Sequence, residues 1–236
     1  MKVALLLVAA ATVGATGCST NDVSLSILQM QAVTRMNACI AQPGGGTGTP
    51  VRDRGLLDVS LVTTSGYIAV PIVRNNLPTN VNGVEFNSIQ ITGANVKLMN
   101  VDNTALTLPN GQSSFFYASA GGRLDPAGTA AMFVEVLPAA AAKSLAGMIP
   151  STGLFTVIAE VKPVGMHSSD QVVGAPIDFP IDLCNGCLVD VVGACPLPKG
   201  TIVTTPCFPQ QDEVTTCCND PTQGLLCNEA APVATM

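Results

Sequence analysis

Cys184-Asn185-Gly186-Cys187 is the stretch of this chain whose residue types and spacing most invite chemistry. Cysteines two residues apart serve thiol–disulfide exchange, zinc ligation or a structural cross-link. Exchange of the thioredoxin type needs the first thiol at a helix N-terminus, where the dipole lowers its pKa. Here Ile181-Asp182-Leu183 precedes the pair and Leu188-Val189-Asp190-Val191 follows it, both alternating as strands do. Asn-Gly is the preferred two-residue hairpin turn, so the spacing predicts a hairpin with one cysteine on each side. A zinc knuckle on such a turn needs a second pair of ligands at similar spacing. Cys217 and Cys218 are adjacent and do not supply it. The pattern favours a structural disulfide and no metal.

The remaining candidates are a histidine and a few acids. His167 is the only histidine, followed by Ser168, Ser169 and Asp170. A Ser-His-Asp triad is assembled in space rather than from neighbours in a turn. The sequence has no Gly-x-Ser-x-Gly elbow and no His-Glu-x-x-His. The segment reads as a polar hairpin tip. Asp178 and Asp182 lie four apart on a predicted strand and so share a face. Such a pair can act as acid and base in sugar hydrolysis or ligate calcium with loop carbonyls. Paired acids on a solvated strand face are the simpler account, and the same holds for Asp212-Glu213 and Asp220. The expectation is no catalytic residue, no metal and no cofactor.

The elements that carry these residues read as short strands. Charged residues make up 11% of the chain, against about 25% in an average soluble protein. Gly, Pro, Thr, Ser and Asn fill the gap, as in a β protein with many turns. Val23, Leu25 and Ile27 alternate with polar residues. Leu57–Thr63, Tyr67–Arg74, Ser88–Met99, Ala105–Leu108, Phe115–Ala118, Thr129–Leu137, Leu154–Val164 and Val172–Leu183 follow, separated by turn residues. Ala139–Gly147 favours a short helix, which would cross between sheets. The pattern predicts an antiparallel, immunoglobulin-like β-sandwich over 23–183. The absence of Trp excludes a true antibody-type domain and, with only Tyr67 and Tyr117, argues against a sugar-binding aromatic platform. Ten basic residues against sixteen acidic ones, with no basic cluster, argue against nucleic-acid binding.

At the N-terminus, Lys2 precedes an uncharged apolar run from Val3 to Val13 and the small residues Gly14, Ala15 and Gly17. This has the form of a secretory signal over 1–17, too short to span a bilayer stably. Ala15-Thr16-Gly17-Cys18 resembles the lipobox of bacterial lipoproteins, where Leu is usual at the position of Ala15. The resemblance implies a diacylglyceryl group on Cys18, palmitate-type acylation of the amine exposed by cleavage, and a lipidated tether over 18–22. Two or more acyl chains make anchoring stable. Ser19, where the sorting rule of enteric bacteria places Asp for inner-membrane retention, favours the outer membrane.

Seven cysteines then fall in 184–227: Cys184, Cys187, Cys195, Cys207, Cys217, Cys218 and Cys227. Apolar runs there are short, so a cysteine-rich module over 184–228 must rely on cross-links, with a loose tail over 229–236. With Cys18 taken by lipid, full pairing brings in Cys39, giving four bridges and 105 possible connectivities. Parity predicts a bond from Cys39 to the C-terminal region, with Cys184 or Cys187 as the expected partner. Cys217 and Cys218 are expected to bond to different partners, because a vicinal ring is strained.

Arg54-Gly55-Leu56-Leu57-Asp58 and Phe179-Pro180-Ile181-Asp182-Leu183-Cys184-Asn185-Gly186-Cys187-Leu188 give the chain a layout similar to that of cysteine-rich lipoproteins of myxobacteria. Those motifs carry no assigned chemistry, so the resemblance bears on location and fold. The resulting expectation is a non-catalytic, membrane-anchored envelope lipoprotein with a structural or protein-binding role. A secreted-type hydrolase or metal-dependent enzyme using Asp178, Asp182 and His167 is one alternative. A thiol–disulfide protein using Cys184 and Cys187 is the other.

Overall fold

The computed structural model describes residues 23–35, 39–41, 50–80, 83, 85–197 and 206–227. The signal, Cys18 and its tether, and the tail over 229–236 lie outside the described residues. The chain forms β1 (Leu25–Met30), β2 (Thr34–Arg35), β3 (Cys39–Ile40), β4 (Gly55–Asp58), β5 (Tyr67–Ala69) and β6 (Pro71–Asn75). It continues through β7 (Ile89–Met99), β8 (Phe115–Leu124), β9 (Thr129–Ala131), β10 (Val134–Leu137) and helix α1 (Ala139–Leu145). β11 (Phe155–His167), β12 (Asp170–Val173), β13 (Ile177–Cys184), β14 (Val189–Ala194), β15 (Thr215–Asp220) and β16 (Gly224–Cys227) complete it.

The protein is mainly β, a sandwich of two layers with a disulfide-rich region at its C-terminal end. The larger sheet has the order β4-β13-β11-β7-β8, with β12 folded back on β11. Alternation drives its burial. In β11, Val157, Ala159 and Val161 are fully buried, whereas Thr156, Ile158, Glu160 and Lys162 turn outward. In β7 the buried set changes parity, from Ile89 and Ile91 to Ala94, Val96 and Leu98. The pairing with β11 shifts register there, with Gly93 opposite Val164 and Ile91 opposite Gly165, so one extra residue in β7 reverses which of its side chains face the core. The second layer pairs β6 with β1 and β9, and β5 with β10. Gln31 N–H donates to Val70 O, and Met132 N–H to Pro71 O, so the pairing continues across the break between β5 and β6. Leu25, Val73, Val134 and Val136 from this layer and Val157, Val161, Phe179 and Ile181 from the larger sheet form one core.

Two local expectations need correction. Leu57–Thr63 is not one strand: β4 stops at Asp58 and a 3-10 turn follows over Val59–Leu61, because the Asp58 carboxylate accepts the Ser60 N–H. The edge pair is also parallel, with Gly55 opposite Ile181 and Asp58 opposite Cys184. These strands are far apart in sequence, so no hairpin dictates their direction. The short helix does form at Ala139–Leu145 and seats Ala141, Ala142 and Leu145 in the core. Among the described residues, no helix is long and apolar enough to cross a membrane.

Beyond Cys184, β14, β15 and β16 make a separate three-stranded sheet, with β14 parallel to β15. Its buried core is Leu197 and Cys218, with Cys195 and Leu226 packed against them. Cross-links stand in for the missing apolar volume. Cys195 bonds to Cys218 and Cys217 to Cys227, so the adjacent pair does take different partners. Cys39 bonds to Cys207, not to Cys184 or Cys187, which bond to each other. The reason is positional: Cys184 and Cys187 flank a tight turn, whereas residues 206–212 lie along the sandwich and bring Cys207 to Cys39.

Candidate functional site

Asp58 is the residue around which the Cys184–Cys187 turn is built. β4 and β13 run side by side and place Asp58 next to Cys184 in register. A carboxylate oxygen of Asp58 and the sulfurs of Cys184 and Cys187 lie within 4.8 Å of one another. Asp58 is fully buried. Its Oδ1 accepts the Ser60 N–H at 3.0 Å, the Ser60 hydroxyl at 2.6 Å and the Gly186 N–H at 2.8 Å. Its Oδ2 accepts the Leu188 N–H at 2.8 Å. One carboxylate therefore supplies the acceptors that the turn's inward N–H groups require, as buried donors must be paired. Gly186 sits at φ +80°, a conformation that a side chain opposes.

This geometry replaces the hairpin predicted for Asn185-Gly186. β13 ends at Cys184, and β14 pairs with β15 rather than with β13. The disulfide closes the four-residue turn on itself, Asp58 draws its N–H groups inward, and the chain leaves towards the second sheet. Cys184 is buried and Cys187 is exposed. Both line an open groove of about 380 Å³, with Ile149, Pro150, Gly153, Leu154 and Asn185 on its walls.

A second polar cluster fixes the C-terminal region to the sandwich. The Gln211 side-chain amide lies along β5, accepting the Ile68 N–H at 2.8 Å and donating to Ile68 O at 2.9 Å. It imitates one residue of a neighbouring strand. Gln210 donates to Ser65 Oγ and Gly66 O, both at 3.0 Å. Asp212 N–H donates to Leu56 O, and Leu56 N–H returns a bond to Asp212 Oδ1 at 2.9 Å. Tyr67 donates its hydroxyl to Asp212 Oδ2 at 2.8 Å, and Arg52 Nη1 lies 3.0 Å from Oδ1. Burial pushes the Asp212 carboxyl above the ordinary carboxylate range, against the pull of Leu56 N–H, Arg52 and Tyr67. Burial first, and the Asp212 charge second, raise the Tyr67 phenol far above its ordinary value.

The candidates drawn from the sequence are scattered. Asp182 is buried and clamped: Arg54 Nη1 reaches its two oxygens at 2.9 and 2.7 Å, and Thr156 donates to it at 2.6 Å. Asp178 is exposed and lies opposite Glu160, not opposite a cation. His167 occupies the β11–β12 hairpin tip, paired in register with Asp170, and its Nε2 lies 3.1 Å from Phe86 O. Asp220 closes the β15–β16 turn by accepting from Thr222 and Gln223, and the Thr222 hydroxyl leads in holding its carboxyl below the ordinary range. Glu213 is exposed beside Asp212. Sequence reading passed over Asp58, Arg52, Tyr67, Gln210 and Gln211 as site residues. Asp58 stands in the quoted Arg54–Asp58 phrase, and that is its only signal.

No protein-family model and no curated protein sequence matches this chain. Among solved structures, a family 123 glycoside hydrolase from Clostridium perfringens, described for glycolipid glycan hydrolysis, overlaps 55% of this chain and 22% of its own length. The identity is 6% and the TM-score 0.26.

Proposed function

We propose that this protein is a non-catalytic envelope lipoprotein, tethered to the outer membrane through Cys18, whose disulfide-stapled C-terminal module is held out on the sandwich for a protein partner or for structural assembly. The observation that carries the reading is the use of its cysteines. Eight of the nine close four bridges, and Cys18 remains for the lipid that the run Ala15–Cys18 implies. Such cross-linking belongs to an oxidising compartment. The engagement of Asp182 by Arg54 and Thr156 supports a structural role for the acid best placed for chemistry.

Intact mass and detergent phase partition of the chain expressed in a bacterium test the anchor. The wild type is expected in the detergent phase with an acylated N-terminus at Cys18, and Cys18→Ala in the aqueous phase. An unmodified Cys18 in the mature wild type overturns the proposal. Turnover of any substrate abolished by Asp182→Asn or His167→Gln, with the fold intact, overturns its non-catalytic part.

A further inference from the structure

Beyond that non-catalytic role, we infer that the Cys184–Cys187 bond is a stoichiometric thiol–disulfide exchange site that takes electrons, without turnover, from a protein dithiol presented in an uncharged segment. Three observations meet there, and none depends on a lipid at Cys18. The first is access. Cys187 is exposed and Cys184 buried, so Cys187 Sγ is the sulfur more open to an incoming thiolate. The second is independence from the fold. This bond spans 3 residues of sequence, against 10, 23 and 168 for the others. The shortest loop restricts the unfolded chain least, so opening it costs the fold least. The turn is also held without the sulfurs, through Gly186 and Leu188 N–H on Asp58. An opened pair therefore stays in place, ready to close again. The third is the groove. Its walls carry Ile149, Pro150 and Leu154, the last half exposed, directly beside the disulfide. With Ser151, Gly153 and Asn185 completing a lining that holds no charged side chain, an uncharged stretch of polypeptide fits this surface better than a charged one.

The exchange balances as follows. A partner thiolate attacks Cys187 Sγ, the Cys184–Cys187 bond breaks, and Cys184 leaves and takes up a proton. The partner's second thiol then attacks the partner sulfur of the mixed disulfide and releases Cys187, which is protonated in turn. The dithiol loses two electrons and becomes a disulfide, and this chain's bond becomes two thiols.

Full-length protein titrated with dithiothreitol, alkylated at each step and mapped by peptide mass, provides the test. Cys184 and Cys187 are expected to become alkylated first, while the other three bonds and the circular dichroism spectrum persist. Glutathione adducts are expected on Cys187 over Cys184 by about tenfold, as attack depends on access. A cysteine-containing uncharged peptide is expected to react faster than its Lys/Glu-rich counterpart. Simultaneous opening of another bond, adducts mainly on Cys184, or no peptide preference overturns the inference.

Discussion

At the scale of single residues, Asp58 does more for this structure than any group with an obvious chemical signature. Four donors converge on its fully buried carboxylate, from Ser60, Gly186 and Leu188. Asp58→Ala strands the Gly186 and Leu188 N–H groups. A hydrogen bond to a charged group contributes about 1.5–3 kcal/mol, and an orphaned buried donor adds its own cost. The expected loss is therefore about 3 kcal/mol or more, read as a lower midpoint in urea unfolding with the disulfides intact. An unchanged midpoint would mean that the disulfide alone shapes the turn. Gly55 makes a steric argument of the same kind. A Cβ there would land on the Tyr67 ring, which passes over β4 to reach Asp212. Gly55→Ala is expected to cost about 1–3 kcal/mol, the usual range for overpacking. Gly147→Ala is its control, since nothing lies within 4 Å of a Cβ at that position. Thermal unfolding of the two variants should separate clearly, and equal melting temperatures would remove the packing account.

Among the elements, what the sequence makes legible is what repeats locally. Val157, Ala159 and Val161 announce β11 by alternation, and Ala139–Leu145 announces α1 by helix propensity. The hairpin tip at His167 is legible for the same reason, since Ser168, Ser169 and Asp170 are turn residues between two alternating runs. The tie between Asp58 and Gly186 is not legible, because 128 residues separate them and a lone carboxylate has no period. The pairing of Cys39 with Cys207 escapes for the same reason: parity requires a partner in the C-terminal region, but only the path of 206–212 along β5 selects it. That path rests on Gln211, whose amide completes the β5 edge at Ile68. Gln211→Ala leaves one N–H and one C=O of β5 without their partner and exposes an edge. The expected result is faster amide hydrogen exchange at Ile68, by about tenfold for each ~1.4 kcal/mol of local opening, with β11 and β7 unaffected. Exchange at Ile68 equal to wild type would show that Gln210 and Asp212 suffice to dock the segment.

For the whole molecule, the question is what keeps the C-terminal region seated on the sandwich as conditions change. The Cys39–Cys207 bond closes a loop of sequence separation 168 and holds the connection at any pH; the chain-entropy account assigns a loop of that size about 5 kcal/mol. Asp212 makes the seat pH-dependent. Its folded pKa is raised by burial, so between the ordinary carboxylate value and that raised value the unfolded chain releases a proton that the folded chain retains. The stability it contributes is therefore present below the ordinary carboxylate pKa and lost as pH rises through the raised one. Asp102 and Asp220 act with the opposite sign: hydroxyls of Thr104 and Thr222 lower them, and their contribution disappears as pH falls through their lowered values. These windows lie on either side of the ordinary carboxylate value, so a single melting curve mixes them. Subtracting Asp212→Asn from wild type isolates the one at the seat, because Asp102 and Asp220 are common to both. The difference in unfolding free energy is expected to favour wild type most at about pH 3 and to decline towards about pH 7. A difference that rises with pH would mean that Arg52, at 3.0 Å from Oδ1, outweighs the cost of burying the charge.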